Sequence, residues 1–398
     1  MLETLLEPFR LAGGDSLAPW PVWARAAAAT LVALLAVKIA GPTVVAWLAR
    51  HCREPIRSAS PQLNTLMASK QGTPTLGGLL VLAGWLAGAL CFTRVNEPGV
   101  IFCLACVLAL AAIGLVDDLT KLRTSRRGLS ARAKLISQVL LLSGPVCWIS
   151  ASEYDGASAI LVALLVMSVL VAAANAVNLS DGLDGLAAGS LLPVLVALAA
   201  IGLSGATIHR SLTASSTQSL WNTVALAPLS GSATAASELV ILAAALAGAL
   251  AGFLPLNVQP ARVFLGNTGS LALGGALGAL GVLLLPLWTL AVVSGVFVVE
   301  AASVIVQVAA FQTTGRRVFR CAPLHHHFQF LGWSERRIVR TFWGVSLAFV
   351  LTASALASGH YQIVNNRGEL DANPTLATTK HHEVAGHDAP SSSDWQKQ

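Results

Sequence analysis

Charge is what this chain has least of. Only 11% of its 398 residues are Asp, Glu, Lys or Arg, while 55% are hydrophobic and the mean hydropathy is +0.69. So little polar surface cannot cover a water-soluble domain, which excludes that class and leaves an integral membrane protein. Strand-like alternation is also missing, and in a bilayer that excludes a barrel and leaves helices. The six cysteines, at 52, 91, 103, 106, 147 and 321, suggest no disulfide framework. Cys103 and Cys106 form a CLAC inside an apolar run without partner ligands, so they read as small packing residues. The opening MLETLLEPFRLAGGD has no basic stretch ahead of an apolar one, so it reads as a short interfacial helix instead of a cleaved leader. A GxxxxGK[ST] phosphate loop is absent, which removes the nucleotide-triphosphatase reading.

What is there in quantity is apolar sequence of membrane-spanning length. A bilayer core about 30 Å thick takes about 20 residues of helix. Ten segments meet that need, at 22–49, 76–92, 100–116, 132–150, 158–177, 183–203, 238–255, 270–288, 289–311 and 338–358. The expected fold is all-α, a polytopic membrane protein with about ten transmembrane helices and both termini outside. It forms one domain over 1–360, with an outer insertion at about 205–237 and a polar, disordered tail over 361–398.

Lysine and arginine should gather in the cytoplasmic loops of such a protein. They do gather on one side of these spans: Arg50, Arg53, Arg57 and Lys70 after the first, then Lys121, Arg123, Arg126, Arg127, Arg132 and Lys134 after the third. Arg262 follows the seventh, and Arg316, Arg317, Arg320, Arg336, Arg337 and Arg340 follow the ninth. The net charge of +6 therefore reflects topology, and no nucleic-acid partner is implied. Topology does not explain why most polar residues of chemical interest lie on that same side.

The run Val100 to Val116 ends in Asp117 and Asp118. Adjacent acids on a helix point about 100° apart and repel each other at a membrane boundary unless a cation intervenes. Magnesium, which takes one or two carboxylates with water and phosphate oxygens, answers that need; pairing with Lys121 and Arg123 answers it equally well. Next, NAVNLSDGLDGLAAG places Asn175, Asn178, Asp181 and Asp184 at every third residue, so neighbours share a helix face. Such a seam is either a ligand surface or a structural contact between helices. In SKQGTPTLGG, Lys70 stands before a turn where it can meet a phosphate. LNVQPARVFLGNTGSLALGG carries Asn257, Phe264, Gly266 and Asn267, with main-chain amides near Gly266 available to an anion. Finally, RRVFRCAPLHHHFQFLGW holds His325, His326 and His327, whose diverging rings cannot all bind one ion and suit phosphate, sugar, base or proton-transfer contacts better.

Taken together, these stretches resemble the prokaryotic polyprenyl-phosphate N-acetylhexosamine-1-phosphate transferases. GTPTLGG, VDDLTK, NAVNLSDGLDGLAAG and PLHHHFQFLGW occur in that family's order between Arg53 and Trp343, and APLHHHF is specific to its muramyl-pentapeptide branch. The resemblance implies transfer of phospho-MurNAc-pentapeptide from its UDP carrier to undecaprenyl phosphate, giving lipid I and UMP. This is the first membrane step of peptidoglycan synthesis, on the cytoplasmic face of a bacterial inner membrane, and the enzyme can be a homodimer. It implies Mg2+ held by Asp117, Asp118 and position 267, with Lys70, His326 and His327 also catalytic. Substrate contacts fall to Lys121, Arg132, Lys134, Asn175, Asn178, Asp181, Asp184, Asn257, Phe264, Gly266, Gln307 and His325. A sister enzyme moving GlcNAc-1-phosphate would share these motifs, and a silent transporter or lipid-binding relative would use the same seam for passage. Two departures stand out: Asn267 occupies a position where the family has a metal-binding aspartate, and Arg132 one where it often has lysine.

Overall fold

The computed structural model describes residues 20–53, 61–124, 128–212 and 233–372. The interfacial helix expected before residue 20 and most of the outer insertion lie outside them. Among the described residues the chain is helical and forms no strand. In order, the helices are α1 (Val22–His51), α2 (Pro61–Leu66), α3 (Gly77–Phe92), α4 (Pro98–Arg123), α5 (Ala131–Glu153), α6 (Gly156–Ser180) and α7 (Leu186–Leu212). They continue with α8 (Ala233–Asn257), α9 (Gly266–Leu284), α10 (Leu287–Val293), α11 (Gly295–Thr314), α12 (Leu324–Phe330) and α13 (Glu335–Ala372). Nine are long and apolar enough to cross a membrane, and α3, at 16 residues, supplies the shorter tenth expected from the sequence. The protein is an all-α polytopic membrane protein.

Composition decides which helices sit inside. GNTGSLALGGALGALGVLL in α9 is rich in glycine and alanine, so neighbouring backbones approach closely. It becomes the central helix, packed on α4, α6 and α3 and almost wholly buried. α8 plays the same part beside α1 and α7. By contrast α5 and α6 turn Ile136, Leu140, Ile160, Leu161 and Leu164 outward, a surface suited to lipid and not to water. Cys103 and Cys106 are fully buried in α4, as packing residues should be.

Two boundaries differ from the sequence reading. The expected division at 288/289 falls instead at Pro286, which lacks an N–H to continue α9 and opens α10; a second break at Ser294 then starts α11. The tail was expected from residue 361, yet α13 continues to Ala372, since no proline interrupts it before Pro374. Residues 373–398 lie outside the described set.

Candidate active site

The polar motifs meet at one end of the bundle, and the junction of α4 with the start of α9 organises them. Gly114 on α4 makes the approach possible, because a Cβ there would run into the main chain of Asn267. Gly266 adopts φ +75°, a left-handed conformation that suits glycine, and turns the chain into α9. The turn is zipped to the GTPTLGG segment by Phe264 N to Pro74 O (2.8 Å), Gly77 N to Phe264 O (2.9 Å) and Gly78 N to Leu265 O (2.8 Å). Phe264 and Gly266 therefore lie at this junction, Phe264 holding it through its main chain.

The adjacent aspartates diverge as expected and are both buried, at 0% and 1% exposure. Asp118 accepts from Asn267 N (3.0 Å), Thr268 N (2.8 Å) and Thr268 Oγ1 (2.8 Å). The main-chain amides at the start of α9 do bind an anion, but that anion is the protein's own carboxylate, capping the helix from a neighbouring one. Asp117 turns the other way. Its Oδ1 accepts from Leu129 N (2.6 Å), while Oδ2 meets Lys134 Nζ (3.1 Å), Lys121 Nζ (3.5 Å) and the side-chain amide of Asn267. Lys121 also reaches Asp118 at 3.7 Å, so two ammonium groups balance two carboxylates.

Asn267 joins these halves: its main chain serves Asp118, its Nδ2 donates to Asp117, and its Oδ1 accepts from Asn178 Nδ2 (2.7 Å). Asn178 also donates to Ser270 Oγ (2.8 Å). One turn earlier on α6, Asn175 donates to the buried Gln138 Oε1 (2.8 Å) on α5. The every-third-residue seam is thus partly a helix contact and partly a site wall.

A second group surrounds Lys70. Its ammonium pairs with Asp184 Oδ1 (2.6 Å) and with Glu335, at the first turn of α13. Asp184 also accepts from Ala261 N (3.0 Å), and its own N–H donates to Glu335 Oε1 (2.7 Å). Asn257 is buried and ties Gly185 N (3.2 Å) to Val263 O (3.0 Å), fixing the turn below Asp184. Half-buried Asp181 ends α6 beside it.

The three histidines have three environments. His325 is fully buried against Glu300 of α11, with Nδ1 to Oε2 at 3.0 Å. His326 bonds Gln329 Oε1 (2.7 Å); burial, and then the neighbouring His325 and Lys70, hold its pKa down to about 4, so it is neutral at pH 7. His327 accepts from Arg320 N (3.1 Å) and lies edge-on to Phe319. Its ring thus meets the loop at residues 319–320. Gln307 is likewise spent on that loop, accepting from Val318 N and Phe319 N and donating to Phe319 O. Arg132 is exposed on the first turn of α5, unpaired with either aspartate.

Sequence reasoning passed over Glu300, Glu335 and Thr268. Glu300 carried a signal, being the one charged residue between Ser270 and Phe311, and intramembrane carboxylates have functional partners by default. Glu335 looked like an ordinary first-turn acid.

Comparison with known proteins gives this geometry its family. Residues 100–285 match the model for glycosyl transferase family 4. The chain is 40% identical over 352 residues to the phospho-N-acetylmuramoyl-pentapeptide-transferase of Granulibacter bethesdensis, covering 84% of this chain and 92% of that protein. It is 39% identical over 314 residues to the protein of the same name from Rhodopseudomonas palustris, covering 75% and 82%. A buried aspartate pair at a membrane-helix end, flanked by two lysines and followed by the histidine loop, therefore occurs in a chain that belongs to the phospho-N-acetylmuramoyl-pentapeptide-transferase family.

Proposed function

We propose that the protein transfers phospho-MurNAc-pentapeptide from its UDP carrier to undecaprenyl phosphate, releasing UMP and forming lipid I. An oxygen of the lipid phosphate attacks the sugar-bearing phosphorus of the donor; that P–O bond forms as the diphosphate bridge breaks and UMP departs with the electron pair. The observation that carries the reading is the convergence of Lys70, Lys121 and Lys134 on buried carboxylates at one end of an apolar bundle. Phosphoryl transfer needs little covalent help, mainly alignment and neutralised charge, which fixed ammonium groups supply.

The two aspartates divide the work. Asp118 has three donors locked onto it and serves as an anchor that places α9. Asp117 faces the lysines and is the group placed to take the proton of the lipid phosphate. Lys121 and Lys134 move from Asp117 to the incoming phosphate oxygens, and Lys70 does the same from Asp184 and Glu335. Asn178, Asp181 and Asp184 line the side where the nucleotide is oriented. His326, neutral at pH 7, offers a hydrogen bond and not a charge.

Relatives of this kind are generally metal-dependent, and the residues fit an ion shared with substrate. No group of three or more His, Cys, Asp or Glu among the described residues could enclose a metal. Asp117 would hold Mg2+, while Asp118 is already occupied as a cap and Asn267 presents its Nδ2, not its oxygen, to Asp117. When bound, the ion would neutralise charge on the diphosphate. We place this end at the cytoplasmic face of a bacterial inner membrane, with both termini outside, because the basic loops lie there. The homodimer implied by the sequence resemblance stays part of this proposal.

Donor specificity is tested with the purified protein, undecaprenyl phosphate and either UDP-MurNAc-pentapeptide or UDP-GlcNAc, with and without magnesium. UMP release from the first donor alone is expected. Release from UDP-GlcNAc alone would assign the sister reaction, and release from neither would leave a transporter or lipid-binding protein.

A further inference from the structure

We infer that Glu300 is a positioning residue for the transfer site: its carboxylate fixes the ring and tautomer of His325, and His325 in turn sets the Gly182 turn that carries Asp181 and Asp184. The inference rests on the transfer reading above and adds a residue outside its motifs.

Glu300 and His325 are 1% and 0% exposed, so neither side chain can exchange its partner for water. Both carboxylate oxygens serve one residue. Oε1 accepts from the main-chain N–H of His325 (3.1 Å), and Oε2 faces its ring Nδ1 (3.0 Å). Two acceptors in that spacing are what a carboxylate has; an amide has one acceptor and one donor. The inferred tautomer donates Nδ1–H to Oε2 and carries its lone pair on Nε2. That nitrogen is buried without a hydrogen-bond partner and lies against Gly182, where a Cβ would overlap it. A buried acceptor left so is unfavourable and is retained where the atom's placement matters. On its other side the ring lies 4.1 Å from that of His326, which senses Lys70. Glu300, far from the motifs in sequence, therefore governs the contact between the histidine loop and the turn bearing Asp184.

A plain structural staple would also bury a carboxylate against a histidine, but it would not make donor binding depend on the tautomer. The test uses the full-length protein in lipid nanodiscs, labelled with 15N-histidine, with His325 assigned from the peaks missing in His325→Gln. In wild type, Nδ1 should show a protonated and Nε2 an unprotonated nitrogen shift. In Glu300→Gln the amide cannot accept both N–H groups, so the second tautomer should appear. The KM for UDP-MurNAc-pentapeptide, read by UMP release, should rise about tenfold, as when an orienting partner of an active-site histidine is removed. The KM for undecaprenyl phosphate should stay unchanged. Gly182→Ala, which crowds the same contact from the other side, should raise the donor KM alone as well. Unchanged nitrogen shifts in Glu300→Gln, or loss of active protein with both KM values unaltered, would overturn the inference. A wild type that releases no UMP would instead overturn the transfer reading, and the nitrogen shifts would still decide the tie between Glu300 and His325.

Discussion

Each end of the bundle buries a carboxylate against a cation, and the two ends do so differently. At the end away from the site, Arg25 grips Glu238 with two bonds of 2.9 and 2.7 Å and holds the carbonyl of Phe92 with Nε and Nη2. A forked guanidinium meets a forked carboxylate there, tying α1, α3 and α8, with charges matched one to one. At the site end the cations are lysines, point charges on flexible stems. Lys70 is shared by Asp184 and Glu335, and Lys121 by Asp117 and Asp118. Rigid bidentate pairing suits a staple; shared, swinging ammonium groups suit a place where phosphates come and go.

The sharpest way to break that contrast is to remove a cation from the staple. Arg25→Met leaves Glu238 buried and uncompensated, which should cost about 3–5 kcal/mol of stability, measured by thermal unfolding in detergent. UMP release per folded molecule should not change. Pairing it with Glu238→Leu should recover most of the loss. If turnover falls with Arg25→Met at equal folded fraction, the far end is not merely a staple.

Asp117→Asn reverses the pattern. UMP release should fall by about a hundredfold or more while the unfolding temperature stays near wild type, because Asn still accepts from Leu129 N. Asp118→Asn should lose activity too, but with about 1–2 kcal/mol of lost stability, since an amide caps α9 less well than a carboxylate. Equal stability in both variants would remove the division between anchor and base.

His326 gives a pH handle. Its pKa is held near 4 when folded against 6.5 for the free side chain, so the unfolded chain binds the extra proton first as pH drops. Its contribution to stability is complete above about 6.5 and is lost as pH falls toward 4, on the order of 2–3 kcal/mol across that window. His326→Gln should flatten that part of the stability curve relative to wild type. Coincident curves would show that the imidazole does not resist protonation.

The smallest expected effect belongs to position 267. Asn267→Asp adds a carboxylate opposite Asp117, so activity at saturating magnesium should match wild type and activity at low magnesium should equal or exceed it. A sharp loss would mean that the amide bridge from Asn178 to Asp117 is itself essential.

Much of this was legible from residues alone. The apolar helices follow from hydropathy, and the clustering of Lys70, Asp117, Asn178 and Asp184 at one end follows from the side on which the basic loops lie. What a one-dimensional pattern cannot say is which partner satisfies a polar group. The amides at the start of α9 looked open to a substrate anion, yet Asp118 already fills them. Gln307, in apolar α11, and His327, in the histidine motif, both bond to the 318–320 main chain. Glu300 and Glu335 belong to no motif and are defined by neighbours 25 and 265 positions away.

Product stoichiometry tests the central claim most directly. Purified wild-type protein is given UDP-MurNAc-pentapeptide labelled in the peptide, undecaprenyl phosphate and magnesium, and both products are counted. Equal amounts of UMP and labelled lipid are expected, with neither formed by Asp117→Asn. UMP without labelled lipid, or full yield of both from that variant, would contradict the assignment of this buried carboxylate and its lysines as the place of phosphoryl transfer.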